Sequence, residues 1–280
     1  MATPVEWGFV GAGNMAEGIV AGVLRAGLWP ADQIMAADPS EQRRRLLAEK
    51  LGVVATADAA QVTRGARRLV LAVKPQSFDT VASQIAAEVR TDHLLVSIMA
   101  GVSTKRIQAA FPNAAPRIVR VMPNLPIRVG AGMAGLYASP LATAEDVADV
   151  RSLFEAGGAT VVMPDEALMD AVTAVAGSGP AYFYQFVESI VAGGVACGLS
   201  DQDALKLAQH TCLGAARMMI ETGMDPAELR RQVTSKGGTT QAALDVMARE
   251  RVPEAIRDAV IAAFKRGQEL GGKSEARGEK

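Results

Sequence analysis

The chain has 280 residues and a mass of 29.2 kDa, and its composition of 49% hydrophobic and 21% charged residues excludes a disordered or fibrous protein. This length fits two domains. Lys and Arg number 29 against 30 Asp and Glu, so the net charge of -1 gives no global attraction to nucleic acid or to an anionic membrane.

The first half of the chain alternates short apolar runs with helical patterns, which is typical of a parallel α/β sheet. The predicted strands are Val5–Val10, Gln33–Ala37, Arg68–Val73, Leu94–Ala100, Arg117–Met122 and Ala159–Met163. Beyond Pro164 only helical patterns follow. We therefore predict an α/β Rossmann-type domain over residues 1–164 and an all-α helical domain over residues 165–280.

A glycine-rich motif follows the first predicted strand and opens the first predicted helix. It reads Gly11, Ala12, Gly13, Asn14, Met15, Ala16. Glycines at the first and third positions permit a tight turn and a close approach of backbone to a pyrophosphate, and the small sixth residue permits close packing of helix on strand. This context predicts a dinucleotide site rather than a turn without a ligand.

The end of the second strand carries conflicting signals about the dinucleotide. Asp38 stands where a carboxylate binds a ribose 2′-hydroxyl and favours NAD. Arg43, Arg44 and Arg45 follow within one or two helical turns and are candidates to meet a 2′-phosphate, which favours NADP. A solvated helix face is the alternative interpretation of the three arginines.

Two further strand ends carry prolines. Ala72, Val73, Lys74 and Pro75 close one predicted strand at the edge where open α/β sheets bind ligands. The segment Met122–Pro126 closes another, and its default interpretation is a rigid turn.

The second half is apolar and rich in small residues. Phe183, Phe186 and Ile190 belong to one apolar helical stripe, and the Ala- and Gly-rich stretch 191–199 allows close helix packing within or between subunits. Cys197 and Cys212 lie in apolar stretches without CxxC spacing, so we expect buried thiols of a reducing compartment. The N-terminus lacks a basic segment before its apolar run, so we expect a cytoplasmic protein without a secretory signal.

Two motifs interrupt this helical half. Residues 177–182, GSGPAY, predict a kink or restart of a helix, with Pro180 tolerated near its first position. Residues 235–240, SKGGTT, precede another helix and predict either a cradle for a carboxylate or phosphate or a simple helix cap.

Only two histidines occur, His93 and His210, and neither has a carboxylate or cysteine at metal-ligand spacing. We expect each to lie on the surface, or in the core with its ring nitrogens hydrogen-bonded. The sequence therefore gives no support to a metal site or to a histidine base. A nicotinamide cofactor beside a hydroxyl-rich anion loop suits the reduction of an electrophilic substrate such as a protonated C=N bond.

The set GFVGAGNMA, AVKP, MPNLP, GSGPAYF and SKGGTT, in this order along nearly the whole chain, resembles pyrroline-5-carboxylate reductase. The last two motifs are the most specific. The resemblance implies an N-terminal Rossmann domain, a helical domain through which subunits form dimers that often assemble into a decamer, and reduction of L-1-pyrroline-5-carboxylate to L-proline with NADPH or NADH.

The resemblance also implies roles for individual residues. Those implied to bind the cofactor are Gly11, Ala12, Gly13, Asn14 and Met15 at the pyrophosphate, Asp38 at the ribose, and Ala72, Val73, Lys74, Pro75, Ala100 and Gly101 near the nicotinamide. Ser235, Gly238 and Thr239 would hold the substrate carboxylate. Thr240 would hydrogen-bond the ring nitrogen and act as the catalytic residue.

Two positions bear on these implications. Lys236 stands where many members of the family carry Pro, and Asp38 opposes the NADPH that the family commonly prefers; we favour NADPH. The alternatives are a β-hydroxyacid or imine oxidoreductase and a nicotinamide-sensing regulator without catalysis. The hydroxyacid enzymes use a lysine on the first long helix of the second domain, and residues 167–199 contain none.

Overall fold

The structure, a computed structural model, describes the backbone of residues 5–278 and the side chains of residues 5–272. The expectation about a secretory signal rests partly on residues 1–4, which lie outside this range. By packing, the chain forms two compact units, one holding residues up to Ser178 together with those from Ala263 onward, and the other holding Gly179–Ala262. The last strand ends close to Asp165, where we predict the domain boundary. The division of the chain into domains at that residue stays a prediction.

The first unit contains an eight-stranded sheet within the described residues. Its strands are β1 (Val5–Val10), β2 (Ile34–Ala37), β3 (Val54–Thr56), β4 (Ala66–Leu71), β5 (Leu94–Ser97), β6 (Arg117–Pro123), β7 (Gly132–Ala138) and β8 (Gly158–Val162). They are ordered β3-β2-β1-β4-β5-β6-β7-β8, and the first six are mutually parallel. This order reverses direction between β1 and β4, which is the doubly wound arrangement.

Six helices of this unit connect strands, and a seventh, α7 (Met169–Val172), follows β8. The six are α1 (Asn14–Ala26), α2 (Glu41–Leu51), α3 (Ala59–Gly65), α4 (Phe78–Ile85), α5 (Thr104–Ala110) and α6 (Ala144–Glu155). Alternate residues along a strand enter different cores: Trp7 and Phe9 of β1 pack in one buried cluster and Val10 in another. This alternation follows from the period of two in a strand and places a core on each face of the sheet.

All six predicted strands are confirmed, the first with the predicted ends and the others with shifts of up to three residues, but β3 and β7 were not predicted. β7 reads GMAGLYA, and its glycines and alanines give no β-branched signal. Gly135 is required there, because a Cβ would lie 2.5 Å from Val172. The predicted parallel sheet is confirmed for most strands, and its one antiparallel pairing among the described strands is that of β7 with β6. Only a short turn, Leu125–Val129, joins the two, so the chain has to reverse.

The second unit is helical. It contains α8 (Gly179–Ala196), α9 (Asp201–Thr222), α10 (Pro226–Gln232), α11 (Thr239–Arg249) and the first part of α12 (Val252–Gly278). A π-helical turn at Thr173–Gly177 precedes α8, which confirms the predicted restart at the GSGPAY motif. Gly194 of α8 confirms close packing within the chain, since a Cβ there would lie 3.2 Å from the Cβ of Ala204.

Large apolar side chains of the second unit remain exposed. Phe183 and Tyr184 on α8 are 61% and 58% exposed, and Ile220 on α9 is 81% exposed. The expected burial of the cysteines is also wrong for the single chain: Cys197 is exposed and Cys212 half-buried, and both are free thiols. Apolar neighbours in the sequence do not tell whether a surface is covered by the same chain or by another. No helix within residues 5–278 is both long and apolar enough to span a membrane.

Candidate active site

The glycine turn lies at the carboxyl end of β1, beside the end of β4. The N–H of Gly11 donates to the carbonyl of Ala37 at 2.8 Å, and the N–H of Ala72 donates to that of Val10 at 2.8 Å. Gly11 has a φ of +103°, and a Cβ would lie 2.6 Å from the carbonyl oxygen of Ala72. Only glycine fits this position.

The third position of the motif has a different requirement. Gly13 has a φ of -68°, which any residue adopts, and a Cβ there would meet nothing within 4 Å. The open space lies at the start of α1, whose N-cap residue, Gly13, provides no side-chain cap. Uncapped N–H groups at a helix start attract an anion. Ala16 is 1% exposed, consistent with the close packing expected of it.

Asp38 holds the turn together. One carboxylate oxygen accepts the N–H of Ala12 at 2.8 Å and the other accepts the N–H of Ser40 at 2.9 Å. The residue also lines the groove described below. Its carboxylate therefore supports the backbone of the motif in addition to facing the ligand space.

The three arginines of α2 have three different surroundings. Arg43 turns inward and donates through Nε to the carbonyl of Ala12 at 2.6 Å. Arg44 donates through Nη1 to the carbonyls of Asp38 and Pro39, both at 2.8 Å. Arg45 pairs on the surface with Glu41. The solvated-face interpretation therefore holds only for Arg45.

A groove of about 580 Å³ runs along the carboxyl ends of β1, β2 and β4, at the point where the strand order reverses. The predicted cofactor residues that line it are Gly11, Gly13, Asp38, Ala72, Val73 and Lys74. Polar side chains that the sequence analysis missed also line it, namely Gln76, Ser77, Thr80 and Gln84. They follow Pro75 at the carboxyl end of β4, and this position in the sheet is the signal that would have found them.

Ala100 and Gly101 lie outside the described lining of this groove. They follow β5, and Gly101 has a φ of +69°. A Cβ at Gly101 would lie 3.3 Å from the backbone nitrogen of Gly271, in the last part of α12. The structure thus explains this glycine by the close approach of two backbones, while its role toward the cofactor stays a prediction.

The SKGGTT segment forms an exposed loop before α11. Gly237 has a φ of +72°, and the N–H of Gly238 donates to the carbonyl of Ser235 at 3.0 Å. A Cβ at Gly238 would lie 2.3 Å from the Ser235 hydroxyl oxygen. Gly238 is the N-cap of α11 and supplies no side-chain cap, and Thr240 is half-buried in the first turn. These features favour the anion cradle over the helix cap.

The two histidines lie in the core and on the surface, as predicted. His93 is fully buried before β5, at the opposite edge of the sheet from the groove: its Nδ1 accepts the N–H of Arg90 at 3.1 Å and its Nε2 lies 3.2 Å from the carbonyl of Ala66. Burial, together with the nearby charge of Arg90, lowers its pKa to about 4. His210 is exposed on α9. Within residues 5–272, no three metal-binding side chains cluster.

Comparisons with known proteins cover both halves of the chain. The family model for pyrroline-5-carboxylate reductase dimerisation matches residues 166–270, and that for the coenzyme F420-dependent NADP oxidoreductases matches residues 6–101. A pyrroline-5-carboxylate reductase of Synechocystis is 40% identical over 96% of this chain and 99% of the relative, and that of Haemophilus influenzae is 42% identical over 94% and 96%.

Solved structures agree with these matches. The pyrroline-5-carboxylate reductase of Coxiella burnetii has a TM-score of 0.89 at 34% identity and covers 96% of this chain and 99% of its own. The pyrroline carboxylate reductase of Plasmodium falciparum, solved with NADP bound, has a TM-score of 0.85 at 26% identity and covers 95% and 98%.

Proposed function

The chain belongs to the pyrroline-5-carboxylate reductase family and is an oxidoreductase that reduces L-1-pyrroline-5-carboxylate to L-proline, and we propose that it uses NADPH bound in the groove at the ends of β1, β2 and β4. The observation that carries this proposal is that both required parts are present: an uncapped glycine turn for a dinucleotide and an uncapped glycine loop for a small anion.

The residues of the groove fit the cofactor. Gly13 leaves space in which a Cβ would stand, and the start of α1 offers N–H groups for a pyrophosphate. Lys74 adds a cation at the end of β4. When bound, the reduced nicotinamide supplies the hydride.

The SKGGTT loop holds the substrate in this proposal. The hydroxyl of Ser235 and the backbone N–H of Thr239 bind the carboxylate beside Gly238, whose own N–H is donated to the carbonyl of Ser235. The N-terminus of α11 adds favourable potential. The hydroxyl of Thr240 hydrogen-bonds the ring nitrogen. Much of the rate acceleration then comes from orientation and from a preorganised field.

The proton balance follows from the weak acidity of a threonine hydroxyl. Thr240 is not an independent strong acid, so the substrate binds as the iminium or receives its proton through water. The imine carbon gains a hydride, the C=N double bond becomes a single bond, and the nitrogen keeps the proton. Thr240 orients that nitrogen throughout.

The preference for NADPH is assigned to Arg44. Its guanidinium is held on the carbonyls of Asp38 and Pro39, at the end of β2, where the ribose 2′ group of a dinucleotide lies. The opposing carboxylate of Asp38 already accepts two backbone N–H groups. A 2′-phosphate bound here therefore lies beside the Arg44 cation, and its repulsion by the Asp38 carboxylate is reduced by the two N–H groups which that carboxylate accepts.

Steady-state kinetics with both cofactors test these proposals. The wild type should oxidise NADPH in the presence of L-1-pyrroline-5-carboxylate at neutral pH, and no turnover with either cofactor would overturn the activity. Arg44→Met should lower kcat/KM for NADPH about tenfold and leave that for NADH within about twofold. Arg45→Met is the matched control, and an equal effect in both variants would contradict the assignment to Arg44.

We further propose that the helical half forms a dimer, with assembly to a decamer as the larger form. Support comes from the match to the dimerisation model and from the exposed side chains of Phe183, Tyr184 and Ile220. Light scattering of the purified protein tests this, and a monomer would refute it.

The two free thiols fit the cytoplasmic location that we also propose, which cell fractionation tests.

A further inference from the structure

A buried carboxylate lies directly behind the glycine turn. Glu17, in the first turn of α1, is 5% exposed. Its two oxygens accept hydrogen bonds from Arg43 at 3.0 Å and Lys50 at 2.9 Å. Burial by itself would raise the pKa of Glu17, but the hydrogen bonds and charges of Lys50 and Arg43 outweigh it and lower the pKa. The side chain is therefore ionised at neutral pH.

Arg43 links this carboxylate to the turn. Its Nη2 contacts Glu17, its Nε donates to the carbonyl of Ala12, and its Nη1 lies 3.4 Å from the Oδ1 of Asn14. The N–H of the same residue, Ala12, donates to Asp38. The peptide groups on both sides of Ala12 are thus fixed by charged side chains from outside the motif.

We propose that Glu17 is a positioning residue for the dinucleotide: it holds the Arg43 guanidinium on the carbonyl of Ala12 and so keeps the turn in the shape that binds the pyrophosphate. This inference rests on the proposed function of the groove. The described lining of the groove includes neither Glu17 nor Arg43, so the effect is exerted through the turn.

The charge of Glu17 is what gives Arg43 a single orientation. An arginine has five N–H donors in a planar fork, and the Arg43 side chain uses this fork for its three contacts, with Ala12, Asn14 and Glu17. Without the carboxylate, the guanidinium is drawn toward water, because the side chain of Arg43 is already 23% exposed. Lys50, whose side chain is 62% exposed, contacts Glu17 but not the turn.

Direct titration with NADPH, followed by the fluorescence of the bound nucleotide, tests the proposal in the full-length protein. Glu17→Gln keeps the shape of the side chain and removes its charge, and it should raise the Kd for NADPH about tenfold. At saturating NADPH, kcat and the KM for L-1-pyrroline-5-carboxylate should stay within about twofold. Lys50→Met, the control, should leave the Kd within about twofold because it spares the contact to Arg43.

Coupling between the two residues distinguishes positioning from general stability. If Glu17 acts through Arg43, the double variant Glu17→Gln and Arg43→Met binds NADPH no more weakly than Arg43→Met alone. A lower Tm with an unchanged Kd would overturn the proposal. Should Glu17→Gln not fold, Arg43→Met alone decides, and an unchanged Kd in that variant refutes it. Failure of the wild type to bind NADPH would instead refute the proposed function.

Discussion

Lowering the pH from 8 to 5 is expected to destabilise the sheet-containing unit through His93. The neutral ring is fully satisfied: Nδ1 accepts the N–H of Arg90, so Nε2 carries the proton and donates to the carbonyl of Ala66. Protonation of Nδ1 would remove an acceptor from Arg90 and place a second charge beside the guanidinium. The buried site therefore disfavours the charged form.

The size of the effect follows from the two pKa values. Unfolded His93 takes up a proton near its ordinary pKa of 6.5, whereas in the folded protein its pKa is about 4. Between these values the unfolded state binds more protons, so stability rises with pH across this window and is fully retained above it. The free energy of unfolding should fall by about 2 kcal/mol from pH 8 to pH 5, and by about 3 kcal/mol once the pH is below both values.

Urea unfolding followed by tryptophan fluorescence measures this loss, because both tryptophans, Trp7 and Trp29, lie in the same unit as His93. His93→Gln removes the titrating group and should flatten the pH dependence between pH 8 and pH 5, although the variant is less stable than the wild type at pH 8. His210→Gln, which changes an exposed residue of α9, should keep the full pH dependence. Equal slopes in wild type and His93→Gln would refute the reasoning.

Substitutions at the two glycine motifs should separate folding, cofactor binding and catalysis. Gly11→Ala places a Cβ 2.6 Å from a backbone carbonyl at a φ of +103°, so thermal unfolding should show a lower Tm. Gly13→Ala has room for its Cβ, so it should keep the Tm but weaken NADPH binding about tenfold in a titration. A lower Tm for Gly13→Ala would count against this distinction. Ser235→Ala should mainly raise the KM for the substrate and Thr240→Ala should mainly lower kcat, each about tenfold, and the reverse pattern in steady-state kinetics would contradict the assigned roles. Gly238→Ala directs its Cβ into the Ser235 hydroxyl, so its kinetics should match those of Ser235→Ala, and a wild-type KM would argue against that contact.

Local patterns in the sequence determined much of this protein. The strand β1, the turn after it, the restart of the helix at GSGPAY and the glycine loop before α11 were all predicted, because each depends on residues a few positions apart whose backbone preferences are intrinsic. The family resemblance came from the same short motifs. The helical half was predicted for the same reason, since a period of 3.6 needs no knowledge of distant residues.

Tertiary structure decided what the charged and apolar side chains do. Asp38 and Arg43 contact Ala12 across 26 and 31 positions of sequence, and no local pattern distinguishes Arg43 from Arg44 or Arg45. Likewise, β7 has a weak strand signal and forms because β6 offers it an edge, and the exposure of Cys197 depends on which surfaces the chain covers. Hydrogen-bond partners and burial are set by the folded arrangement of distant segments, so they emerge only when the sheet and its helices are assembled.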